Sequence, residues 1–309
     1  MSVLQFGPYR VDITNTDKLL FPDSGITKGE LIQYYRRVSD WMLPHLRQRP
    51  LALRRFPDGI AEEGFFQQRP SGFFPAWIAT VAAPRASGGA EADAVEHVLC
   101  NNRATLAYLA NQAAISLHGW LSRAPAINVP DRLVFDLDPS DDDFGAVRDA
   151  ARAVVALMHH LGMNPYVMTT GSRGLHVVAP LRRETGFDEV RALAREMAAR
   201  LVAHYPDELT VEQRKDQRGG RVYLDVMRNA YGQTTVLPYS VRARPGAPVA
   251  MPIDLAELDR RTLGPQDWHL GNAHRRLEKH GDPWAGLRRH ATSARKAGRA
   301  LAKLQDSET

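Results

Sequence analysis

The stretch LVFDLDP, residues 133–139, has the pattern of a buried β-strand that ends in two carboxylates. Residues two apart share a face of a strand, so Asp136 and Asp138 point to one side while the leucines and the phenylalanine point to the other. Pro139 ends the strand because it cannot donate a backbone hydrogen bond. Two neighbouring carboxylates repel each other, and divalent cations commonly relieve that repulsion. The pattern predicts either a metal site or two solvated acids at a strand end.

A strand–helix–strand unit is expected to follow this stretch. Apolar residues at helical spacing predict a helix over residues 144–161, and strands are predicted at residues 166–170 and 175–179. A right-handed crossover would place the first of these strands in the same sheet as LVFDLDP. The hairpin turn Gly171-Ser172-Arg173-Gly174 has glycines that permit positive φ, and its backbone and side chains offer donors. Such a turn can bind a phosphate.

Four further side chains are candidates for a functional role. Thr170 and His176 flank the turn, one on each predicted strand. A histidine on a strand is often structural, but its place beside this turn and a carboxylate pair favours a functional role. Arg242 and Arg244 are two residues apart, which predicts a common strand face suited to a triphosphate or a template phosphate.

A third carboxylate, Asp225, lies among apolar residues in the segment RVYLDVM. It could form a plain salt bridge with Arg221 or Arg228. Alternatively, it could join Asp136 and Asp138 across a sheet and complete a three-carboxylate metal cage. Three acids with an arginine, a histidine and a glycine turn are what nucleotidyl transfer with two cations requires.

Composition limits the class of protein. The chain has 309 residues, 44% of them hydrophobic, which suffices for one large domain or two coupled lobes. The net charge of +5 suggests an anionic partner. Between Trp284 and Leu304 there is no acid, and six lysines and arginines accumulate among alanines and leucines. This segment predicts a basic terminal helix, either a nucleic-acid contact or a solvated face.

The cysteine content and the hydropathy pattern point to a cytoplasmic protein. Cys100 is the one cysteine, so we expect no internal disulfide and no cysteine-based zinc site, and Cys100 itself should be a buried apolar residue. No stretch approaches the length of a membrane helix, and the first residues lack the pattern of a signal peptide.

The N-terminal part predicts two helices. Thr27 or Ser24 would cap a helix over residues 28–46, and a second helix is predicted over residues 102–121. The other expected features are a Gly-rich turn at residues 87–89 and a Pro-containing loop at residues 122–130 that separates two lobes.

The polymerase domain of bacterial ligase D, in the archaeo-eukaryotic primase superfamily, resembles this chain in three ordered blocks: LVFDLDP, TTGSRGLHVVAPL and VYLDVMRNAYGQTTVLPYSVRARPGAP. The resemblance extends over nearly the whole chain through TNTDKLLFP, GITKGELIQYY, FFQQR and a predicted helix ending in ISLHGW. It implies an α/β, two-lobed primase-polymerase fold with a mixed or antiparallel, RRM-like catalytic sheet flanked by helices. Residues 1–126 would form a lobe that binds DNA and a 5'-phosphate, residues 127–283 the catalytic lobe, and residues 284–309 the basic tail.

The resemblance also implies roles for individual residues. The metal ligands, which are also the catalytic residues, would be Asp136, Asp138 and Asp225. Contacts with the nucleotide would come from His118, Thr170, Ser172, Arg173, His176, Thr234, Arg242 and Arg244, with His118 and Thr234 near the sugar. A DNA 5'-phosphate would be bound by Lys18 and Lys28, aided by Arg54 or Arg55. Phe65 and Phe66 would either stack on bases at the break or pack in the core.

The activity implied by the resemblance is template-dependent nucleotidyl transfer that fills gaps and extends ends during non-homologous end joining, with a preference for ribonucleotides. The cofactors would be two Mn²⁺ or Mg²⁺ ions, and the substrates a nucleoside triphosphate and gapped DNA with a 5'-phosphate. The expected partners are a Ku-like protein and a separate DNA ligase, because the chain shows no ligase or phosphoesterase motif, and the expected location is the nucleoid. Thr170 and Arg173 stand where the family often has Ser and Lys. Both can make similar contacts, so we expect the difference to affect the rate and the nucleotide preference rather than the reaction.

Two other functions remain open. VFDLDP also resembles the first motif of haloacid-dehalogenase phosphatases, although Pro139 and Ser140 replace the Gly-Thr of that motif and no later paired-acid motif follows. A non-catalytic module that binds DNA ends would bind 5'-phosphorylated ends without incorporating nucleotides. The presence of all three acids favours an enzyme over such a module.

Overall fold

The computed structural model describes residues 2–84 and 94–306, so the turn expected at residues 87–89 lies outside the described residues. The chain forms two compact units. The first contains Met1–Pro125, Thr234–Met251 and Trp268–Asp282, and the second contains Ala126–Gln233, Pro252–Asp267 and Pro283–Thr309. The first break falls inside the predicted boundary loop, but two later segments return to the first unit. Both of those segments lie within residues 127–283, the predicted catalytic lobe, so that predicted boundary is wrong for them, and the functions of the lobes stay predictions.

The described residues contain both strands and α-helices. The strands are β1 (Ser2–Phe6), β2 (Tyr9–Ile13), β3 (Leu19–Phe21), β4 (Ile26–Thr27), β5 (Leu51–Arg55), β6 (Phe65–Gln67), β7 (Thr80–Ala83), β8 (Val95–Val98), β9 (Ala114–Trp120), β10 (Ser122–Arg123), β11 (Ala126–Pro130), β12 (Arg132–Asp138), β13 (Tyr166–Thr169), β14 (Leu175–Pro180), β15 (Leu209–Thr210), β16 (Val222–Asp225), β17 (Thr234–Val236) and β18 (Pro252–Ile253). The α-helices are α1 (Lys28–Leu46), α2 (Arg103–Asn111), α3 (Phe144–His160), α4 (Phe187–His204), α5 (Ala273–His280) and α6 (Ala294–Asp306).

Helix α1 has the bounds that the sequence predicts. Thr27 and Glu30 form a capping box, in which each side chain accepts the backbone N–H of the other residue. Tyr34 and Tyr35 lie on the buried face of the helix. Tyr34 donates to the carbonyl oxygen of Tyr239, and Tyr35 donates to that of Ile115, which fixes the helix to the rest of the first unit.

The second predicted helix is wrong over its last half. Helix α2 ends at Asn111, and the following residues form strand β9, including the block ISLHGW. Ala113 has a φ of 54°, a left-handed conformation that stops the helix. β9 then pairs with β5 on one side and β17 on the other in the sheet of order β17-β9-β5-β6. Pairing on both edges outweighs the helical propensity of this apolar run.

The second unit is built on a sheet of order β15-β16-β12-β14-β13-β18. Neighbouring strands are antiparallel except β15 and β16, which are parallel. The expectation of an α/β fold with a mixed or antiparallel catalytic sheet is therefore confirmed. β12 lies between β14 and β16, and helices α3 and α4 both pack against it. Leu133, Phe135 and Leu137 are fully buried, as the alternation predicts.

The basic C-terminal segment and Cys100 have the structure that the sequence predicts. Helix α6 forms within the predicted basic segment. Cys100 is buried, as predicted, and burial raises the pKa of its thiol well above the usual range. Within residues 2–84 and 94–306, no helix has the length and apolarity needed to cross a membrane.

Candidate active site

Three carboxylates and a histidine meet on one face of the sheet in the second unit. In the strand register, Asp136 of β12 lies opposite His176 of β14 on one side and opposite Asp225 of β16 on the other. Asp138, two residues further along β12, lies opposite Tyr223. Residues directly opposite each other point to the same face. The sheet therefore brings together the three acids that the sequence analysis selected.

Asp136 and Asp225 have cationic or polar partners on this face. His176 Nε2 lies 3.2 Å from Asp136 Oδ1. Arg228 Nε lies 3.3 Å from Asp225 Oδ2 and 3.8 Å from Asp136 Oδ2, so its guanidinium bridges two strands. The backbone N–H of Met227 donates to Asp225 Oδ1 at 2.8 Å and holds that carboxylate towards the cluster. Of the two interpretations of Asp225, the structure shows both the salt bridge and the juxtaposition with the other acids.

The cluster has more negative charge than its partners compensate. The pKa of Asp138 is raised from 3.8 to about 6, first because the carboxyl is buried and then because Asp136 repels its charged form. Burial also raises the pKa of Asp225, which the hydrogen bond from Met227 and the charge of Arg228 partly oppose. The pKa of Tyr223 rises to about 12 through burial and the charge of Asp225. Additional positive charge would therefore stabilise this site.

The three carboxylates have the chemistry of ligands for a hard divalent cation. Carboxylate oxygens are the ligands that Mg²⁺ and Mn²⁺ prefer, and the raised pKa values of Asp138 and Asp225 reflect first the burial of these carboxyls and then the nearby charge of Asp136. In the described part of the chain, however, no three His, Cys, Asp or Glu side chains are already arranged to hold a metal ion. Arg228 and His176 instead engage the carboxylates. The metal-binding role of the three acids thus remains a prediction.

The predicted phosphate turn closes against the end of β12. Thr170 Oγ1 accepts from the N–H groups of Ser172 and Gly174, both at 3.3 Å, and donates to the carbonyl oxygen of Gly174 at 3.1 Å. Gly171 has a φ of 62°. A Cβ on Gly174 would lie 2.0 Å from the carbonyl oxygen of Leu137, so only glycine permits this approach. Thr170 therefore shapes the turn, and its contact with a nucleotide stays a prediction.

Arg173 and Ser172 carry the outward-facing groups of the turn. Arg173 is exposed and Ser172 is half-buried. Gln266 Nε2 donates to the carbonyl oxygen of Ser172 at 2.8 Å, which ties the turn to another segment of the same unit. The guanidinium of Arg173 is thus presented on a restrained backbone.

In the first unit, the aromatic pair on β6 is exposed. Phe65 and Phe66 have 47% and 61% of their surface accessible, which rules out the interpretation that they pack in the core. Arg54 lies opposite Phe66, with its guanidinium carbon 5.7 Å from that ring. The ring of Phe66 meets that of His118 edge to face at 5.6 Å. Phe66, Arg54 and His118 therefore form one polar and aromatic face of the sheet, whereas Phe65 lies opposite Arg55 on the other face.

The other predicted contacts of the first unit fall into separate groups. His118 of β9 lies opposite Val236 of β17. Thr234 lies two residues before Val236 on β17, so the side chains of His118 and Thr234 point to the same face of the sheet. Arg55 is buried and donates to the carbonyl oxygen of Gln112 and to Gln67, each at 2.8 Å. Arg54 is therefore the better candidate of the two arginines for contact with DNA.

Lys18 and Lys28 are neighbours, as a shared phosphate would require. The backbone N–H of Lys28 donates to the carbonyl oxygen of Lys18 at 2.8 Å. Lys28 is buried, and burial together with the charge of Lys18 lowers its pKa. Lys18 Nζ lies 2.5 Å from Asp58 Oδ1, so one of the two charges is already paired. The structure brings the two lysines together, and their phosphate contact remains a prediction.

The strand predicted for Arg242 and Arg244 is wrong. Both residues lie in a turn, where the N–H of Arg242 donates to Pro248 O at 2.7 Å and that of Arg244 donates to Arg242 O at 2.9 Å. Gly246, with a φ of 76°, returns the chain. The alternation of arginines therefore does not reflect a common strand face, because the backbone pairs within its own turn.

Two arginines of the site, Arg228 and Arg218, are less evident from the sequence than the acids. Arg228 was considered only as a plain salt-bridge partner, although its position three residues after Asp225 was the available signal. The alternative partner, Arg221, donates instead to the carbonyl oxygens of Arg218 and Pro206. The guanidinium of Arg218 lies 4.2 Å from the centre of the Tyr223 ring, a contact that no sequence pattern indicates.

Comparison with known proteins finds one consistent family. The family model described as the LigD primase-polymerase domain matches residues 27–284. The multifunctional non-homologous end joining protein LigD of Mycolicibacterium smegmatis is 34% identical over 90% of this chain and 36% of its own length. The bifunctional LigD protein of Bacillus subtilis is 30% identical over 89% of this chain and 44% of its own length. The chain thus spans under half the length of these curated relatives.

A solved structure agrees with these relatives. The polymerase domain of Mycobacterium tuberculosis ligase D in complex with DNA superimposes with a TM-score of 0.85 and 32% sequence identity. The match covers 92% of this chain and 99% of that domain. The similarity therefore includes both units of the chain and corresponds to one whole domain of the relative.

Proposed function

The chain belongs to the LigD primase-polymerase family, and from that premise we propose that it is a template-dependent nucleotidyltransferase that fills gaps and extends ends during non-homologous end joining. One observation supports this function above the others. Asp136, Asp138 and Asp225 lie on one face of the central sheet, and the raised pKa values of the last two indicate a site that favours added positive charge.

The three acids would hold two Mn²⁺ or Mg²⁺ ions, which would supply Lewis acidity to the primer 3'-hydroxyl and the triphosphate. His176 orients Asp136 through its 3.2 Å contact. Arg228 spans Asp136 and Asp225 and would compensate their charge when no cation is bound. The primer hydroxyl would attack the α-phosphate and release pyrophosphate.

Residues near the turn would bind the triphosphate. Ser172 and Arg173 would donate to phosphate oxygens, with the backbone of the turn held by Thr170. His176 would add a further donor. Arg242 and Arg244 would contribute positive charge, and His118 and Thr234 would contact the sugar. These assignments rest on the family pattern and on the position of each residue within its own unit.

The first unit would bind the DNA. Phe65 and Phe66 are exposed and would stack on bases at the break, because aromatic faces bind any base. Arg54 would support this contact through its position over Phe66. Lys18 and Lys28 would bind the 5'-phosphate on the downstream side of a gap.

The setting proposed for this activity is end joining in the bacterial nucleoid. The relatives are named for non-homologous end joining, so we propose a Ku-like protein and a DNA ligase as partners. We also propose a preference for ribonucleotides, for which the family resemblance is the support.

Extension of a labelled primer in a gapped duplex tests the proposal. The protein is incubated with each ribonucleotide or deoxyribonucleotide triphosphate and with Mn²⁺ or Mg²⁺. We expect template-directed addition that stops at the end of the gap, faster with ribonucleotides. Binding of the gapped duplex without any addition would contradict the proposal and support a non-catalytic DNA-end-binding module.

A further inference from the structure

Helix α6 carries a row of positive charges on its exposed side. The helix packs against α4, and the residues on its inner side are buried: Ala294, Ala297 and Leu301. The Ser293 hydroxyl accepts the backbone N–H of Lys296 at 3.3 Å, which caps the start of the helix. Three exposed residues at spacings of three and four lie along its outer side and form what we call the basic stripe: Lys296, Arg299 and Lys303.

Nearby acids do not balance the charge of the basic stripe. From Ala294 to Leu304 the helix contains no acid. Glu189 of α4 pairs with Arg295, whose Nε lies 3.4 Å from Glu189 Oε2, and not with the stripe. Across residues 182–204, which include α4, five arginines outnumber four acids. Within residues 2–84 and 94–304, no acid forms an ion pair with a residue of the basic stripe.

The helix that supports α6 covers the face of the catalytic sheet opposite the acids. α4 packs against β12, whose residues Leu133, Phe135 and Leu137 are fully buried. Asp136 and Asp138 alternate with these residues and point to the other face. The basic stripe is therefore a surface separate from the three-carboxylate site.

We propose that the basic stripe binds the phosphate backbone of duplex DNA, independently of base sequence and outside the active site. Residues 296–303 span about 10 Å of helix. One DNA strand has a phosphate about every 3.4 Å along the duplex axis, so the stripe matches about three phosphates. This surface goes beyond the proposed function, because it requires no gap, primer or 5'-phosphate. It also lies beyond residue 284, where the match to the family model ends.

An anionic membrane offers the same sign of charge but fits α6 less well. An amphipathic helix binds a membrane by burying its apolar face among the lipids. The apolar residues of α6 are already buried within the protein, so the helix offers a partner charge and little else. Duplex DNA, with its high density of phosphates, is the partner that such a surface favours.

Binding to a duplex without ends tests the proposal. The probe is a fluorescent dumbbell, a duplex closed at both ends by hairpin loops, with no gap, primer terminus or 5'-phosphate. In EDTA, Lys296→Gln/Arg299→Gln/Lys303→Gln should raise the Kd about tenfold. The slope of log K against log salt should become shallower by about 0.9 for each lost phosphate contact, or about 2.7 for three. Wild-type affinity and slope in this variant would overturn the proposal.

A second variant keeps the three charges and changes the side chains that carry them. Lys296→Arg/Arg299→Lys/Lys303→Arg should bind the dumbbell with wild-type affinity, because contacts with a phosphate backbone depend on charge. Loss of affinity in this variant would contradict a charge-based surface. Thermal melting should give both variants the wild-type Tm, since all three positions are exposed.

A matched control removes three charges elsewhere. It replaces exposed arginines that already pair with acids: Arg10 with Asp12, Arg103 with Asp40, and Arg260 with Glu257. The variant Arg10→Gln/Arg103→Gln/Arg260→Gln should bind the dumbbell with wild-type affinity and salt slope. A loss of affinity equal to that of the glutamine variant of the stripe would show that net charge alone matters, and it would overturn the surface.

Primer extension and lipid binding separate the basic stripe from other roles. At saturating gapped duplex, the glutamine variant of the stripe should extend a primer at the wild-type rate, and a lower rate would overturn its place outside the active site. Binding to phosphatidylglycerol vesicles that the variant loses, with dumbbell binding intact, would overturn the proposal in favour of a membrane surface. If the wild type extended no primer at all, the proposed function would fail, and the dumbbell measurement would still decide the basic stripe.

Discussion

Replacing Asp138 with asparagine should stabilise the metal-free protein at pH 8. Burial and the charge of Asp136 raise the pKa of Asp138 from 3.8 to about 6, so the folded state holds this proton more tightly than the unfolded state does. Stability is therefore lost as the pH rises from about 4 through about 6, and the full penalty is present at pH 8. A shift of about two pKa units corresponds to about 3 kcal/mol, and asparagine removes this charge while keeping the shape of the side chain.

Thermal melting in EDTA measures this effect. We expect Asp138→Asn to raise the Tm by about 5 °C at pH 8 and to have no effect near pH 4, where the wild-type carboxyl is protonated. Asp142→Asn serves as the control, because Asp142 is exposed and lies four residues further along the chain. Mn²⁺ should raise the Tm of the wild type more than that of Asp138→Asn. An unchanged or lower Tm of Asp138→Asn at pH 8, or an equal gain in Asp142→Asn, would refute the reasoning.

Three further changes test other parts of the structure. Gly174→Ala should destabilise the protein by about 3 kcal/mol in the same melting assay, because the added Cβ would lie 2.0 Å from the Leu137 carbonyl oxygen. Gly298→Ala should not destabilise the protein, because there is open space around Gly298. Lys18→Ala/Lys28→Ala should abolish the preference for a 5'-phosphorylated gap in competition binding, and an unchanged preference would argue against the phosphate pocket. Phe66→Ala should weaken binding of gapped DNA about tenfold, while Phe73→Ala, which removes another exposed phenylalanine, should not.

The catalytic sheet could be predicted from sequence because its signals are local. LVFDLDP alternates strictly, so the strand and the shared face of Asp136 and Asp138 follow from the two-residue period. The capping box at Thr27 likewise marks the start of α1. The contact between Asp225 and Asp136 required the strand register, but three acids on apolar strands already suggested it.

Features that depend on distant segments were not predictable in the same way. Residues 114–120 have helical neighbours and an apolar composition, and they form a strand only because β5 and β17 supply partners on both sides. The segments Thr234–Met251 and Trp268–Asp282 return to the first unit, which no local pattern shows. Arg242 and Arg244 alternate as in a strand but lie in a turn closed by Gly246.

The convergence of Arg191 and Arg195 on Met227 is a further long-range feature. The two arginines have the spacing of an ordinary solvated helix face, and Met227 is more than thirty residues away in the chain. Their contact with Met227 becomes visible only when α4 packs against the segment that follows β16. Sequence patterns therefore identify the acids of the site more readily than the cations around them.

The central claim is that Asp136, Asp138 and Asp225 together support nucleotide addition with a divalent cation. The most direct measurement is single-turnover extension of a gapped duplex by Asp136→Asn and Asp225→Asn, with DNA binding measured in parallel. We predict that extension falls at least about a thousandfold while the affinity for the duplex stays within about threefold of wild type. Extension within about tenfold of the wild-type rate in either variant would contradict the account.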